Sequence, residues 1–352
     1  MNRTIGVVGV GNMGQAIAYA MEKLGFDLVV LDSNQEMLNR CRKRLSSKHK
    51  YSLFNCQEKH GEINTPAFSI LKECDGVISS LPYHVNLTLA KFCIDNQIPY
   101  FDLGGSVEVS EKINSYAKEK DQTCLTDLGL APGWANIIAE HLCNEQIKDG
   151  IIPKRVDIMV GGLPVQPTNI LKYGCNWSLD GLLNEYKEDC VVLKDGLITL
   201  ERGLDGVVTV QTSLGELEAF YTSGGISHSI DSMYDKGVKN CSYKTLRYPG
   251  HNTIIKFLVR ESGLTDSQIR HILKTSCPET EDLVIIRVEV DNKSHEEVIM
   301  SSDRFSAMQR ATTFAATAAV TSVIVNDMSG QLKYSDIKYH KFCDHLHYLL
   351  RK

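Results

Sequence analysis

The sequence has no run of about 18 apolar residues free of charge, so nothing in it reads as a membrane-spanning helix. Its 11 cysteines include no C-x-x-C pair, and the count is odd. Several lie inside apolar runs, so they read as reduced thiols serving as small core residues. Basic charge is not in excess: 38 Lys and Arg stand against 43 Asp and Glu, for a net charge of -5. A nucleic-acid partner needs a basic face, and this balance argues against one. There is no internal repeat and no low-complexity linker. No signal peptide precedes the first strand-like run, which opens at Ile5, so a cytoplasmic location is expected.

What is there has the texture of a globular protein: 43% hydrophobic and 23% charged residues. A length of 352 residues suggests about two domains. Over the first 130 residues, short apolar runs such as Ile5–Gly9, Leu28–Leu31, Asp75–Ser80 and Tyr100–Leu103 alternate with helical stretches. That pattern predicts an α/β fold, a doubly wound parallel sheet covered on both faces. Beyond residue 131 the strand-like runs mix apolar and polar residues, as in Arg155–Val160, Val207–Val210 and Val284–Val290. They predict an α+β domain over 131–304 with an antiparallel sheet exposed on one face. Residues 305–330 contain an almost wholly apolar helix, expected to be buried against the first domain (1–130). Residues 331–352 read as an amphipathic tail. Its His340, Cys343, His345 and His347 follow no familiar zinc spacing, and no metal site is expected.

The segment Gly9-Val-Gly11-Asn12-Met13-Gly14 follows a strand and opens a helix. In such a turn Gly9 permits the bend, Gly11 lets backbone approach a pyrophosphate, and Gly14 lets helix and strand pack closely. The helix N-terminus then offers free N–H groups to phosphate. Asp32 lies 18 residues after Gly14, near the interval at which a carboxylate meets the adenosine ribose. With Ser33 beside it, it favours NAD over NADP, and Arg40 and Arg42 keep NADP open. Ser80-Leu81-Pro82 ends a later strand and Asp102 another. Ligands in doubly wound sheets sit at strand carboxyl ends, so both are assigned to the cofactor cleft.

Asp127-Leu-Gly-Leu-Ala-Pro-Gly133, Gly161-Gly-Leu-Pro164, Trp177-Ser178, Thr222-Ser-Gly-Gly225 and Lys244-Thr-Leu-Arg-Tyr-Pro-Gly-His251 then occur in order. Together with the nucleotide fingerprint they resemble the saccharopine dehydrogenase family, most nearly its lysine 6-dehydrogenase branch. The resemblance implies a Rossmann domain, a substrate and dimerisation domain, and a helix returning to the first domain. It also implies a homodimer and NAD(P)-dependent oxidation of an amino-acid C–N bond. One departure stands out. Where saccharopine reductases carry N-P-L-G-Y-K, this chain has Asn169-Ile-Leu-Lys172-Tyr-Gly174, so its lysine has moved.

Such chemistry needs a cation for the substrate carboxylate and a group to take a proton from the amine. Arg247 is the expected carboxylate anchor, because its planar fork suits bidentate binding. Tyr248, Trp177, Lys172 and Lys244 are further candidates for the substrate pocket. Asp102, Asp127 and His251 are the candidate proton acceptors, each equally readable as a loop or helix cap or a hydrogen-bonded structural group. Three functions remain open: oxidative deamination of lysine or a close analogue, a saccharopine- or carboxynorspermidine-type reductase, and an NAD-binding sensor without turnover.

Overall fold

The computed structural model describes residues 3–54, 65–175 and 178–351. The chain forms two compact units, one of residues 1–134 with 312–352, the other of residues 135–311.

In the first unit, six strands make one sheet: β1 (Thr4–Val8), β2 (Asp27–Asp32), β3 (Lys50–Leu53), β4 (Gly76–Ser79), β5 (Tyr100–Asp102) and β6 (Cys124–Leu125). Their order is β3-β2-β1-β4-β5-β6, and all neighbours run parallel. Helices α1 (Asn12–Lys23), α2 (Gln35–Arg44), α3 (Tyr83–Asp95) and α4 (Val107–Glu119) provide the crossovers. Strand β1 is buried from Ile5 to Val8 and β4 along its whole length, so side chains on both faces are covered. This is the doubly wound α/β fold expected from the sequence. Chain direction across the sheet reverses between β1 and β4, the switch point where such folds bind ligands.

The second unit contains α5 (Trp134–Lys148), β7 (Arg155–Pro164), α6 (Leu179–Lys187), β8 (Asp189–Lys194), β9 (Leu197–Arg202), β10 (Val208–Thr212) and β11 (Gly215–Tyr221). It continues with α7 (Ser229–Asp235), β12 (Asn240–Arg247), α8 (His251–Lys256), α9 (Asp266–Ser276), β13 (Asp282–Val290), β14 (Lys293–Met300) and the single turn α10 (Ala307–Gln309). The sheet runs β10-β11-β12-β7-β13-β14, with β8 joining β12 to β9. It is mixed rather than antiparallel: β12 runs parallel to β7, while the other neighbours are antiparallel. The long excursion through β8 to β11 lets β12 return in the direction of β7. Strand β12 is buried from Cys241 to Arg247, so the alternation expected of a half-exposed strand is erased at the sheet centre.

One face of this sheet is covered by α6, α8 and α9, through Phe220, Leu182, Tyr186, Ile255, Ile269 and Leu273. The opposite face carries Met159, Leu163, Leu217, Ala219, Leu246 and Ile285. Successive residues of a strand point to opposite faces. Arg247 therefore lies on the helix-covered side, and Lys244 and Leu246 on the other.

The first unit is completed by α11 (Ala315–Val325) and α12 (Tyr339–Leu350). Helix α11 is buried from Ala315 to Ile324, and a Cβ on Gly76 would lie 2.8 Å from the Ile324 side chain. The glycine in β4 lets that helix approach the sheet. Leu332 donates its N–H to Cys124 in β6 (2.9 Å), and the Tyr334 hydroxyl donates to the Asp127 carbonyl (2.8 Å). No helix of the described residues is long and apolar enough to cross a membrane.

Candidate nucleotide and substrate sites

Gly9 ends β1 at φ 85° and donates its N–H to the Leu31 carbonyl (2.8 Å). A Cβ on Gly14 would lie 1.9 Å from the Gly9 carbonyl oxygen, a distance no side chain tolerates. Nothing stands within 4 Å of the place where a Cβ of Gly11 would be. The turn is thus closed on its inner side and open where a phosphate would approach. Helix α1 starts at Asn12 with no side-chain cap and no acidic residue in its first turn. Asn12 is exposed and Met13 partly so. The positive end of a helix dipole faces outward there, a fit for a dinucleotide pyrophosphate.

Asp32 closes β2. Its Oδ2 accepts from Val10 N (2.6 Å) and its Oδ1 from Asn34 N (2.7 Å). The carboxylate is fixed between the glycine turn and the start of α2, with exposed Ser33 beside it. Arg40 is paired with Glu36 (2.6 Å), and the Arg42 guanidinium lies 4.6 Å from the Tyr51 ring centre. Neither arginine pairs with Asp32. Ser80 donates to the Val8 carbonyl (2.8 Å), and a Cβ on Gly9 would meet the Ser80 carbonyl oxygen at 3.0 Å and the Leu81 side chain at 2.9 Å. Ser80 and Leu81 therefore shoulder the turn, and Pro82 caps α3.

Asp102 and Asp127 form one buried knot. Asp102 accepts from the Tyr100 hydroxyl (3.0 Å), Gly104 N (2.9 Å) and Asp127 N (3.1 Å). Burial, and then the neighbouring Asp127, push its carboxyl up to about 7 against those bonds. Asp127 sits at φ 59° and accepts from the Ser110 hydroxyl (2.7 Å). A Cβ on Gly104 would fall 2.2 Å from Asp127 Oδ1, so glycine is required where the two loops meet. A carboxyl raised to about 7 suits a proton acceptor, while its three donors suit a loop anchor.

In the second unit, Arg247 ends β12 with 3% of its surface exposed. Its guanidinium lies 4.9 Å from the Tyr173 ring centre, and Nη1 donates to the Leu246 carbonyl (2.9 Å). Its Nε has no hydrogen-bond partner among the described residues, and no ion pair to it occurs among them. Burial opposes the charge, but Tyr186, Tyr173 and Glu185 outweigh that and hold Arg247 protonated. Thr222, 2% exposed, also has a buried hydroxyl without a partner. Orphaned buried donors of this kind are costly in an empty pocket and useful in a filled one.

His251 supports this floor. Its Nδ1 donates to the Leu171 carbonyl (2.7 Å), leaving Nε2 to accept from the Tyr186 hydroxyl (3.0 Å). Burial, and then the Arg247 charge, push it down to about 3. The sequence reading made His251 a candidate base; burial and its two hydrogen bonds make it a neutral strut instead. Lys172, at φ 50°, donates to the Pro249 carbonyl (2.9 Å), so it ties its loop to the turn after Arg247. Lys244 lies on the opposite sheet face, donating to the Gly206 carbonyl (2.7 Å). Its ammonium stands 4.7 Å from the Tyr221 ring centre, and burial lowers its pKa. The Tyr248 hydroxyl donates to the Pro164 carbonyl (3.0 Å), and its ring packs on the Leu246 side. Strand alternation therefore separates Lys244 and Tyr248 from Arg247, against the sequence expectation of one pocket. Trp177 lies outside the described residues. Among the described residues no cluster of His, Cys, Asp or Glu is arranged to hold a metal.

Residues 5–126 match the family model described as the saccharopine dehydrogenase NADP binding domain. Residues 129–339 match that of the saccharopine dehydrogenase C-terminal domain. The chain belongs to the saccharopine dehydrogenase family. As the motifs from Asp127 to His251 suggested, it is an NAD(P)-binding member of that oxidoreductase family. Among curated proteins it is 25% identical over 230 residues to saccharopine dehydrogenase [NADP(+), L-glutamate-forming] of Pyricularia oryzae, covering 64% of this chain and 51% of that one. It is 24% identical over 173 residues to the mitochondrial alpha-aminoadipic semialdehyde synthase of Rattus norvegicus, covering 49% of this chain and 18% of that one. It thus spans about half or less of these relatives. The apo saccharopine dehydrogenase (L-Glu forming) of Saccharomyces cerevisiae shares the fold, with a TM-score of 0.72 at 14% identity over 93% of this chain and 92% of that one.

Within this saccharopine dehydrogenase-family fold, Tyr173, Tyr186 and Glu185 act on the Arg247 charge and were missed by sequence reasoning. One signal was available. Leu182, Glu185 and Tyr186 share a face of α6 at spacings of three and four, which sets a carboxylate within an apolar stripe.

Proposed function

We propose that this chain is an NAD(P)-dependent oxidoreductase acting on the C–N bond of an amino acid, specifically deaminating the side-chain amine of lysine or a close analogue. The observation that carries this reading is Arg247: a buried guanidinium braced on Tyr173, with an unpartnered Nε and no carboxylate of its own. A buried cation without a counter-ion is a site for an anion brought by a ligand. In a chain that also carries a dinucleotide turn, that anion is read as the substrate carboxylate.

The nicotinamide ring, when bound, supplies the acceptor for a hydride. The glycine turn and α1 N-terminus hold its pyrophosphate, and Asp32 takes the ribose hydroxyls and favours NAD. Arg247 fixes the substrate, Lys172 and His251 stiffen the loops around it, and Asp102 or Asp127 takes the amine proton. The substrate carbon loses hydride and becomes an iminium; water adds, and ammonium leaves with an aldehyde. A homodimer, as the family resemblance implies, and a cytoplasmic location, as the cysteines read as reduced thiols suggest, are part of this reading.

Purified protein with L-lysine and NAD+ should gain absorbance at the NADH wavelength. Silence across a panel of basic amino acids and saccharopine would overturn the substrate assignment. A second reading, favoured by the names of the curated relatives, is a reductase that joins an aldehyde to an amine. NADPH consumption that requires both partners would select it. Calorimetric coenzyme binding with no substrate-dependent redox change would select a sensor instead.

A further inference from the structure

We propose that Gln15 is a positioning residue for the coenzyme: it clamps the peptides on both sides of Gly11 and so aims the Gly11 N–H at the pyrophosphate. The inference rests on the glycine turn as the coenzyme site, and not on which amine is oxidised.

Gln15 follows the last glycine of the turn and is 7% exposed, so its side chain meets the turn rather than solvent. Its Nε2 donates to the Val10 carbonyl (3.0 Å). Its own N–H donates to the Gly11 carbonyl (3.0 Å), the bond that opens the α1 ladder. One residue therefore holds the carbonyl before Gly11 and the carbonyl after it. The Met37 sulfur of α2 accepts from the same Nε2 (3.9 Å), so both hydrogens of the amide are engaged. Only an N–H can face a carbonyl oxygen, which fixes the orientation of the Gln15 amide.

The peptide joining Val10 to Gly11 is trans, and in a trans peptide the N–H points opposite to the C=O. With the Val10 carbonyl drawn to buried Gln15, the Gly11 N–H is turned away from the interior, and Gly11 itself is exposed. The preceding peptide is held by a different partner, since Val10 donates its N–H to Asp32 Oδ2 (2.6 Å). Val10 is wholly buried and so links two tasks. Asp32 holds it on the ribose side and Gln15 on the phosphate side. Glycine has the widest backbone freedom of any residue. An unheld Gly11 would have to be ordered as the coenzyme bound, which lowers affinity. Gln15 orders it in advance.

The test compares the full wild-type chain with Gln15→Met, which keeps the length of the side chain and loses its donor. ADP-ribose, which carries the pyrophosphate, should bind the variant about tenfold more weakly, the scale of one hydrogen bond to a charged group. Adenosine, which carries no phosphate, should stay within about twofold. For any substrate turned over, KM for NAD+ should rise with kcat little changed. ADP-ribose binding at wild-type strength would overturn the role. So would an equal loss for both ligands, the mark of a general loosening of the fold. If the variant does not fold, the wild type alone decides. Its Gly11 amide, free of coenzyme, should show a backbone order parameter near the rigid value of about 0.85, and one below about 0.6 would overturn the proposal. Failure of the wild type to bind NAD+ would remove the coenzyme site and this role with it. Coenzyme binding that depends on Gln15, without turnover of lysine, would keep the role and sink only the deamination reading.

Discussion

At the scale of single residues, two positions make the sharpest commitments. Gly14 is required by distance alone, since a Cβ there would meet the Gly9 carbonyl oxygen at 1.9 Å. Gly14→Ala must push α1 away from the turn. Overpacking of this kind costs about 1–3 kcal/mol, so a lower melting temperature is expected together with weakened coenzyme binding. A variant that melts and binds NAD+ like the wild type would contradict the described turn. Glu185 makes the second commitment. Burial pushes its carboxyl up to about 8, against the pull of Arg247, with Glu188 adding to the rise. Tyr243 on β12, Tyr186 on its own helix and Cys190 on β8 are the other titratable groups near it. At pH 7 this carboxyl is therefore mostly protonated in the folded protein, whereas in the unfolded chain it is ionised. Stability should accordingly fall as pH rises from about 5 to about 8, and Glu185→Gln should flatten that fall. Thermal melts of both proteins across that range read the difference directly. The same fall in Glu185→Gln counts against the assignment.

At the scale of elements, the segment after β12 shows how a short helix holds a site. Helix α8 has only six residues and no side-chain cap of its own. Glu218 of β11 supplies one from outside, accepting from Gly250 N (3.0 Å) and Asn252 N (2.5 Å). Since Glu218 also pairs in register with Arg247, strand and helix are fixed by the same residue. The prediction is that Glu218→Ala costs about 1–2 kcal/mol, the usual value of a lost helix cap. It should also raise KM for the substrate, because Pro249 and Gly250 no longer hold the end of β12 rigidly. Glu218→Gln, which keeps one acceptor, should recover part of both effects. A stability loss with unchanged KM would confine Glu218 to folding.

At the scale of the whole molecule, the first unit was largely legible because its signals are local: apolar runs of strand length, a glycine turn, and a carboxylate at the expected interval. Arg247 could be singled out for the same reason, standing within one compact string. The parallel pairing of β7 with β12 was not, since burial on both faces removes the alternation that reports direction and exposure. Glu185, Tyr173 and Thr222 escaped because only folding brings α6, the 169–175 loop and the end of β11 to one sheet face. Coenzyme choice also belongs to this scale, because a ligand that binds only the folded state adds to the stability of the whole. That gain is about 2.7 kcal/mol at a hundredfold excess over Kd. Backbone donors fix Asp32 at the place where the adenosine ribose is expected, so a 2′-phosphate would meet a like charge that cannot swing away. Arg40 and Arg42, the nearby cations that could offset it, are engaged with Glu36 and Tyr51. NAD+ should therefore raise the melting temperature more than NADP+ at equal concentration. Added salt should narrow the difference, because screening weakens the repulsion. An equal or larger shift with NADP+ at low salt would show that an arginine leaves its partner for the phosphate, and the preference assigned to Asp32 would fall.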